Sequence, residues 1–236
     1  MLQTFEQTHS TPTIYYASPP TPPVSSAPSP SISSSSLNTV KAANMIVPSR
    51  HHILIVTGPA GCGKSTVAKL LADRYGFHYI EGDDFHPKAN VDKMAAGIPL
   101  NDMDRWDWLI LLRDQALSSL QRGEKGVVVT CSALKKKYRD VIRTARLYDE
   151  DPNANVHFVY LRADKETLLA RVRARQGHYM KDAMVDSQFA ALEEPDDAEI
   201  KQLKDVEIVD VKGSLLDVQR LATIAVDRVL NSSSQR

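Results

Sequence analysis

Cysteine is scarce in this chain, and so are long apolar runs, basic residues near the N-terminus and net charge. Cys62 and Cys131 are the only cysteines in 236 residues. They cannot make the disulfide framework of a small secreted domain, which points to a reducing, cytoplasmic compartment. No apolar run approaches the roughly 20 residues that span a bilayer, so no membrane partner is expected. No Lys or Arg precedes Lys41, whereas a mitochondrial leader is Arg-rich and a secretory signal opens on a basic region. Lys and Arg number 29 and so do Asp and Glu, for a formal charge of +0. The chain as a whole therefore has no pull toward nucleic acid, and anion binding must come from a local site.

What is present divides in two. Residues 1–48 are dominated by Ser, Pro and Thr, as in Pro19-Pro20-Thr21-Pro22-Pro23 and Ser33 to Ser36. Such a stretch buries too little apolar surface to offset its ordering entropy and reads as disordered. Residues 49–236 read as one domain. Short apolar runs at Ile53–Thr57, His78–Glu81, Val127–Thr130, Val156–Leu161 and Val206–Val211 alternate with segments at helical spacing, such as Val67, Leu70 and Leu71 or Leu215, Val218, Leu221 and Val229. Continuous apolar strands suit burial on both faces, and β-α alternation predicts a parallel five-stranded sheet between helical layers.

Between the first run and the first helix stands Gly58-Pro59-Ala60-Gly61-Cys62-Gly63-Lys64-Ser65, the G-x-x-x-x-G-K-[ST] pattern of a phosphate loop. The pattern is short, so its place after a strand and before a helix carries the weight. Glycines at 58, 61 and 63 allow positive φ and let main-chain N–H groups turn inward around phosphate oxygens. The helix N-terminus, continuing through Thr66, adds its own N–H groups and dipole. Lys64 is expected to reach the β- and γ-phosphates of ATP, and the Ser65 hydroxyl to bind Mg²⁺. Cys62 fills a small variable position. A glycine turn followed by a serine cap is the plainer reading. Motors, switches and kinases share this loop, so it leaves open where the phosphoryl group goes.

The second run ends in Glu81-Gly82-Asp83-Asp84-Phe85-His86-Pro87. Carboxylates at the C-terminal end of a parallel strand lie in the crevice where open α/β sheets bind ligands. Asp83 is the first candidate for a base on an acceptor hydroxyl, with Glu81 and Asp84 behind it. On the residues alone, a helix-capping Asp83 stands beside that reading.

Several blocks then follow in order: Gly82-Asp83, His86-Pro87, Asn90, Lys93-Met94, Gly97, Pro99 to Asp102, Asp104-Arg105 and Trp108-Leu109. Beyond them come Cys131 to Lys136, Tyr138 to Asp140, Arg175 with Gly177 to Tyr179, Ser187 to Phe189 and Leu192-Glu193 with Pro195. Together, from about Ile53 to Val211, they resemble the gluconokinase family. The resemblance implies a phosphate-loop fold like that of nucleoside-monophosphate kinases, a three-layer sandwich with a mobile lid. It implies transfer of the ATP γ-phosphoryl group to D-gluconate, giving 6-phosphogluconate for the pentose phosphate pathway, and it suggests a homodimer. By analogy with shikimate kinases, Asp83 would orient or deprotonate the hydroxyl and Arg105 would hold the carboxylate. His86, Asn90 and Lys93 would help bind the acceptor, as would Lys135 and, less directly, Arg139. The bulky pair Trp106-Asp107 departs from the family pattern and puts the local turn in question.

Arg171 and Arg175 lie four apart, on one helix face. Beside the break at Gln176-Gly177-His178, one or the other is expected to close over ATP as a catalytic cation, against the default of a solvated basic face. Ser132 is read as a helix cap or a substrate contact. The acidic stretch Glu193 to Asp197 reads as a surface loop, and Asp210 to Ser214 as the adenine's neighbour. His178 has no ligand-spaced companions. The rival readings are a kinase for shikimate or a nucleoside, and a non-catalytic nucleotide-binding scaffold.

Overall fold

The computed structural model describes residues 51–144, 154–174 and 181–233. The Ser/Pro-rich segment read over 1–48 lies outside them, and so do Arg175, Gly177 and His178 of the expected lid. Five strands alternate with helices: β1 (His51–Thr57), β2 (His78–Ile80), β3 (Gly126–Thr130), β4 (Ala154–Arg162) and β5 (Val206–Asp210). The helices are α1 (Lys64–Tyr75), α2 (Lys88–Ala95), α3 (Asp102–Gln121), α4 (Lys136–Arg143), α5 (Lys165–Ala174), α6 (Lys181–Ala191) and α7 (Leu215–Ser233). A 3₁₀ turn, Gly82–Phe85, joins β2 to α2, and a π-helical turn, Ala198–Leu203, precedes β5.

All strand pairs are parallel, in the order β2-β3-β1-β4-β5. Successive side chains of β1 go to opposite faces, as the pleat requires. Ile53 and Ile55 join Val127, Val129 and Phe158 beneath Leu109 and Leu112 of α3 and Ile142 of α4. Leu54 and Val56 join Val128, Val159 and Leu161 beneath α1, α5 and α7. Both faces are thus covered, the three-layer arrangement expected of continuous apolar strands. The chain reverses its order of strand addition at β1, so the loops after β1, β2 and β3 gather at one crevice.

Local chemistry sets the helix ends that matter for that crevice. α1 begins at Gly63 with φ 101° and ends on Gly76 with φ 64°, both left-handed positions that glycine occupies without a Cβ clash. α3 opens on a reciprocal cap: Asn101 Oδ1 accepts from the Asp104 N–H, and Asp104 Oδ2 accepts from the Asn101 N–H, each at 3.0 Å. Trp106 and Asp107 lie inside this helix, and Trp106 meets Tyr138 edge-on with centroids 6.0 Å apart. The departure at 106–107 therefore adds a packing contact and leaves no irregular turn.

The acidic stretch 193–197 is more than a surface loop. The Glu193 carboxylate accepts from the Lys136 N–H, and the Glu193 N–H donates to the Leu134 carbonyl, both at 2.8 Å. Just beyond it, Glu199 is wholly buried between Arg139 and Arg143, at 2.7 and 2.6 Å. Burial works against its charge, but the two guanidinium groups hold the carboxyl down to about 2. Arg139, expected near substrate, is itself buried. It also donates to the carbonyls of Ala133 and Glu193, at 3.2 and 3.0 Å, bracing the segment that follows β3.

Candidate active site

Gly58, Gly61 and Gly63 have φ of 139°, 84° and 101°, so the loop takes the positive-φ conformation that turns N–H groups toward a bound anion. A Cβ at Gly61 would stand 2.8 Å from Val172 Cγ2 of α5, which closes over the loop. The first turn of α1 carries no acidic residue, which leaves its positive end to an anionic ligand. Lys64 Nζ donates to the carbonyls of Gly58 and Pro59, at 3.0 and 3.1 Å. These are weak neutral partners that a phosphate would outcompete. Burial raises both thiols, Cys62 and Cys131, the latter to about 12, which makes them inert packing groups.

Glu81, at the end of β2, faces the loop's last residue. Burial disfavours its charge, but hydrogen bonds from Thr130, Tyr79 and Ser65 outweigh that and hold its carboxyl below the ordinary range. Ser65 and Glu81 are hard oxygen donors of the kind Mg²⁺ prefers. No group of three or more His, Cys, Asp or Glu residues suited to a metal occurs among the described residues. A cation here needs phosphate oxygens to complete its shell, as in phosphate-loop enzymes.

The turn after β2 is held hard against β3. The Gly82 N–H donates to Thr130 Oγ1 at 2.9 Å, and the Gly82 carbonyl accepts from Trp108 Nε1 at 2.8 Å. A Cβ at Gly82 would fall 2.0 Å from the Thr130 carbonyl oxygen, so only glycine fits. His86 stacks on Trp108 with centroids 4.1 Å apart and planes 17° apart. Burial pushes the imidazole below its usual value, against the pull of Asp83's charge, so His86 is neutral at pH 7. Between these anchors Asp83 is left out in the crevice, its side chain 81% exposed and 4.0 Å from His86 Nε2. It makes no capping bond: the 3₁₀ turn is preceded by Glu81 and α2 by Pro87, neither with a side-chain cap. Both Glu81 oxygens already accept, Oε1 from Thr130 and Oε2 from Tyr79. Of the three candidate carboxylates, Asp83 borders the cavity with acceptor capacity to spare, and Asp84 does not line it.

One cavity of about 690 Å³ takes in the loop (Gly61, Gly63, Lys64, Ser65, Thr66) and the opposite wall (Asp83, His86, Arg105). Ser132 also faces this cavity, and α4 is preceded by Lys135 without a side-chain cap, so Ser132 is not capping it. A second hollow of about 260 Å³ shares Arg105 with the first and adds Lys135 and Tyr138. Arg105 donates weakly to the Leu100 carbonyl at 3.5 Å and lies over the Tyr138 ring, its guanidinium carbon 5.8 Å from the centroid.

Other expected contacts go elsewhere. Asn90 is buried and donates to the Asp104 carbonyl at 2.6 Å, while Lys93 pairs with the Asp104 carboxylate at 2.5 Å. Both tie α2 to α3, and neither lines a cavity described above, because Asp104 takes their donors first. Lys135 is held by Asp102, whose carboxylate is pulled well below its usual range by Lys135, Lys137 and Tyr138. Arg171 donates to the Val211 carbonyl at 2.5 Å, on the turn after β5. Its guanidinium is thereby tied to the turn where the adenine's neighbours are expected, while its charge still reaches Cys62 of the phosphate loop.

Ser187 and Gln188 of α6 line both hollows. Sequence reasoning gave them no role, although the block Ser187 to Phe189 was itself one of the family signals. The Glu81 contact with Ser65 is not legible in the sequence because it joins the residue after β2 to the first turn of α1.

Comparisons with known proteins agree with this geometry. A family model described as an AAA domain matches residues 54–202. The chain is 42% identical over 198 residues to a probable gluconokinase of Schizosaccharomyces pombe, covering 84% of this chain and 99% of that one. It is 42% identical over 165 residues to the thermoresistant gluconokinase of Escherichia coli, covering 70% and 87%. Among solved structures, a gluconokinase from Sinorhizobium meliloti superposes with a TM-score of 0.65 at 34% identity, covering 77% of this chain and 94% of that one.

Proposed function

The chain belongs to the gluconokinase family of phosphate-loop kinases, and from that premise we propose that it phosphorylates D-gluconate at the 6-hydroxyl. The products are 6-phosphogluconate, which feeds the pentose phosphate pathway, and ADP. One observation carries the reading: a single cavity joins a loop shaped for phosphate to an exposed, uncommitted carboxylate and an arginine. In a phosphoryl transfer the protein contributes chiefly position and charge neutralisation.

The residues divide that work. Main-chain N–H groups of the loop and the start of α1 hold the ATP phosphates. Lys64 leaves the loop carbonyls to neutralise the β- and γ-oxygens. Ser65, with Glu81 behind it, would hold Mg²⁺, which when bound offsets charge between the phosphates. Asp83 accepts the hydrogen bond of the 6-hydroxyl and takes its proton as the oxygen attacks phosphorus. Arg105 presents its planar donor fork to the gluconate carboxylate. Neutral His86, stacked on Trp108, fixes the turn that carries Asp83. Arg171 serves the nucleobase side, and Arg175 stays the candidate for the charge on the transferred group. No helix among the described residues is long and apolar enough to cross a membrane, and we place the enzyme in the cytoplasm.

The test is a panel. The purified full chain is incubated with ATP, Mg²⁺ and D-gluconate, other sugar acids, shikimate or nucleosides, and ADP release is followed. Gluconate should give the highest kcat/KM. Faster release with shikimate or a nucleoside would overturn the assignment, and ATP binding without turnover of any acceptor would make the chain a nucleotide-binding scaffold.

A further inference from the structure

We infer that Gln188 is a positioning residue that indexes the acceptor polyol to the phosphate loop. The inference rests on the kinase reading above. Gln188 comes from α6, 128 residues after Ala60, yet its Oε1 accepts the Ala60 N–H at 2.6 Å. Ala60 is the third residue of the phosphate loop. The same side chain borders the large cavity with Asp83 and the smaller hollow with Lys135 and Tyr138. It stands at the wall the two hollows share, together with Arg105 and Ser187.

The chemistry of the amide suits that place. An amide that accepts through Oε1 keeps two N–H donors on Nε2. Those donors match the hydroxyl and carboxylate oxygens of a sugar acid. The group is neutral, so it neither repels a triphosphate nor titrates across the working pH range. Because its oxygen is fastened to the loop main chain, any hydroxyl bound by its nitrogen is placed relative to the row of N–H groups that holds the phosphates. A misplacement of about 1 Å between reacting groups costs on the order of 10²-fold in rate. A direct tie between the two half-sites therefore has a kinetic use. Gln188 reaches the loop main chain from across the crevice.

A tie of this kind could also serve only to hold α6 down, and two variants separate the roles. Gln188→Glu keeps an oxygen for the Ala60 N–H but loses the donors, and Gln188→Met loses both. Each is measured in the full chain for kcat/KM with D-gluconate, for ATP Kd in the absence of acceptor, and for melting temperature. Both should lose about 10- to 100-fold in kcat/KM, and for Gln188→Met, which adds no charge beside the triphosphate, ATP Kd should change less than about threefold. A panel of deoxygluconates supplies the second reading. For the analogue lacking the hydroxyl that Gln188 binds, the wild-type to Gln188→Met ratio should collapse toward one.

Equal ratios across every analogue would overturn the inference, and so would a Gln188→Met ATP Kd that worsens as much as the acceptor kcat/KM. If Gln188→Glu retains wild-type kcat/KM, the donors do nothing and the inference is equally lost. Failure of the wild-type chain to phosphorylate gluconate would instead sink the acceptor assignment.

Discussion

Between Gly58 and Ser65 the chain offers main-chain N–H groups to its ligand, whereas between Glu81 and Arg105 it offers side chains. The first half-site is made by one continuous stretch whose glycines take the required φ, with the start of α1 behind it. The second draws on β2, the 3₁₀ turn, α3, the segment after β3 and α6. The turn that carries Asp83 is held by partners distant in sequence, Gly82 by Thr130 and His86 by Trp108. Phosphate is the same anion in every ATP, so a rigid local cradle is enough for it. An acceptor must be told from other small polyols, which takes side-chain groups converging from several elements. The comparison implies that damage to the loop acts on ATP, while damage to the opposite wall acts on acceptor turnover.

The largest separation should come from Asp83→Asn. The amide cannot take the hydroxyl proton, and turnover is expected to fall about 10²- to 10⁴-fold. ATP Kd should stay close to wild type, because Asp83 makes no contact with the loop main chain. Isothermal titration with ATP and steady-state rates with gluconate test both halves. Near-normal turnover would remove Asp83 from the chemistry and break the division proposed here.

Glu199→Gln attacks the acceptor wall from behind. It leaves buried Arg139 against a neutral amide, while Arg143 keeps Asp205 and Asp140, at a cost of about 3 kcal/mol in stability. The pH dependence has a definite sign. The folded carboxyl is depressed to about 2 from an ordinary 4.5, so its stabilisation is fully present above about 4.5. That contribution is lost as pH falls from there through 2. Wild-type melting temperature should therefore drop across that window, and the Gln variant should show a shallower drop. Equal slopes would show that the carboxylate is not the group titrating.

The smallest effect probes the loop itself. Gly61→Ala forces a Cβ into a left-handed position and to 2.8 Å from Val172. The strain amounts to about 1 to 2 kcal/mol, or roughly a tenfold rise in the KM for ATP with little change in that for gluconate. A larger rise for gluconate would mean that the two half-sites are not separable in the way their construction implies.

Much of the site was legible because it is local. The phosphate loop, the five strands and the place of Asp83 beside the crevice follow from patterns a few residues long. Lys64, Ser65, Asp83, His86 and Arg105 share one cavity. What failed to show was competition for partners. Asn90 and Lys93 look like acceptor ligands until Asp104 is seen to occupy them, and Arg139 looks like a substrate contact until Glu199 arrives from 60 residues away. Arg171 gives no sign in the sequence of its bond to the Val211 carbonyl, 40 residues away on the turn after β5.

The amino-acid sequence by itself determined the alternation of strands and helices, the phosphate cradle and the carboxylate that follows β2. These depend on backbone torsions, on burial of alternating apolar side chains and on the strand-loop-helix order, all of which act over short spans. Only the tertiary structure decided which charged groups are left available to a ligand. A side chain's donors go to whatever acceptor the fold brings nearest, and nothing in its own neighbourhood along the chain says what that will be. The link between Gln188 and Ala60 is the clearest instance, since 128 residues separate an ordinary glutamine from the loop it touches.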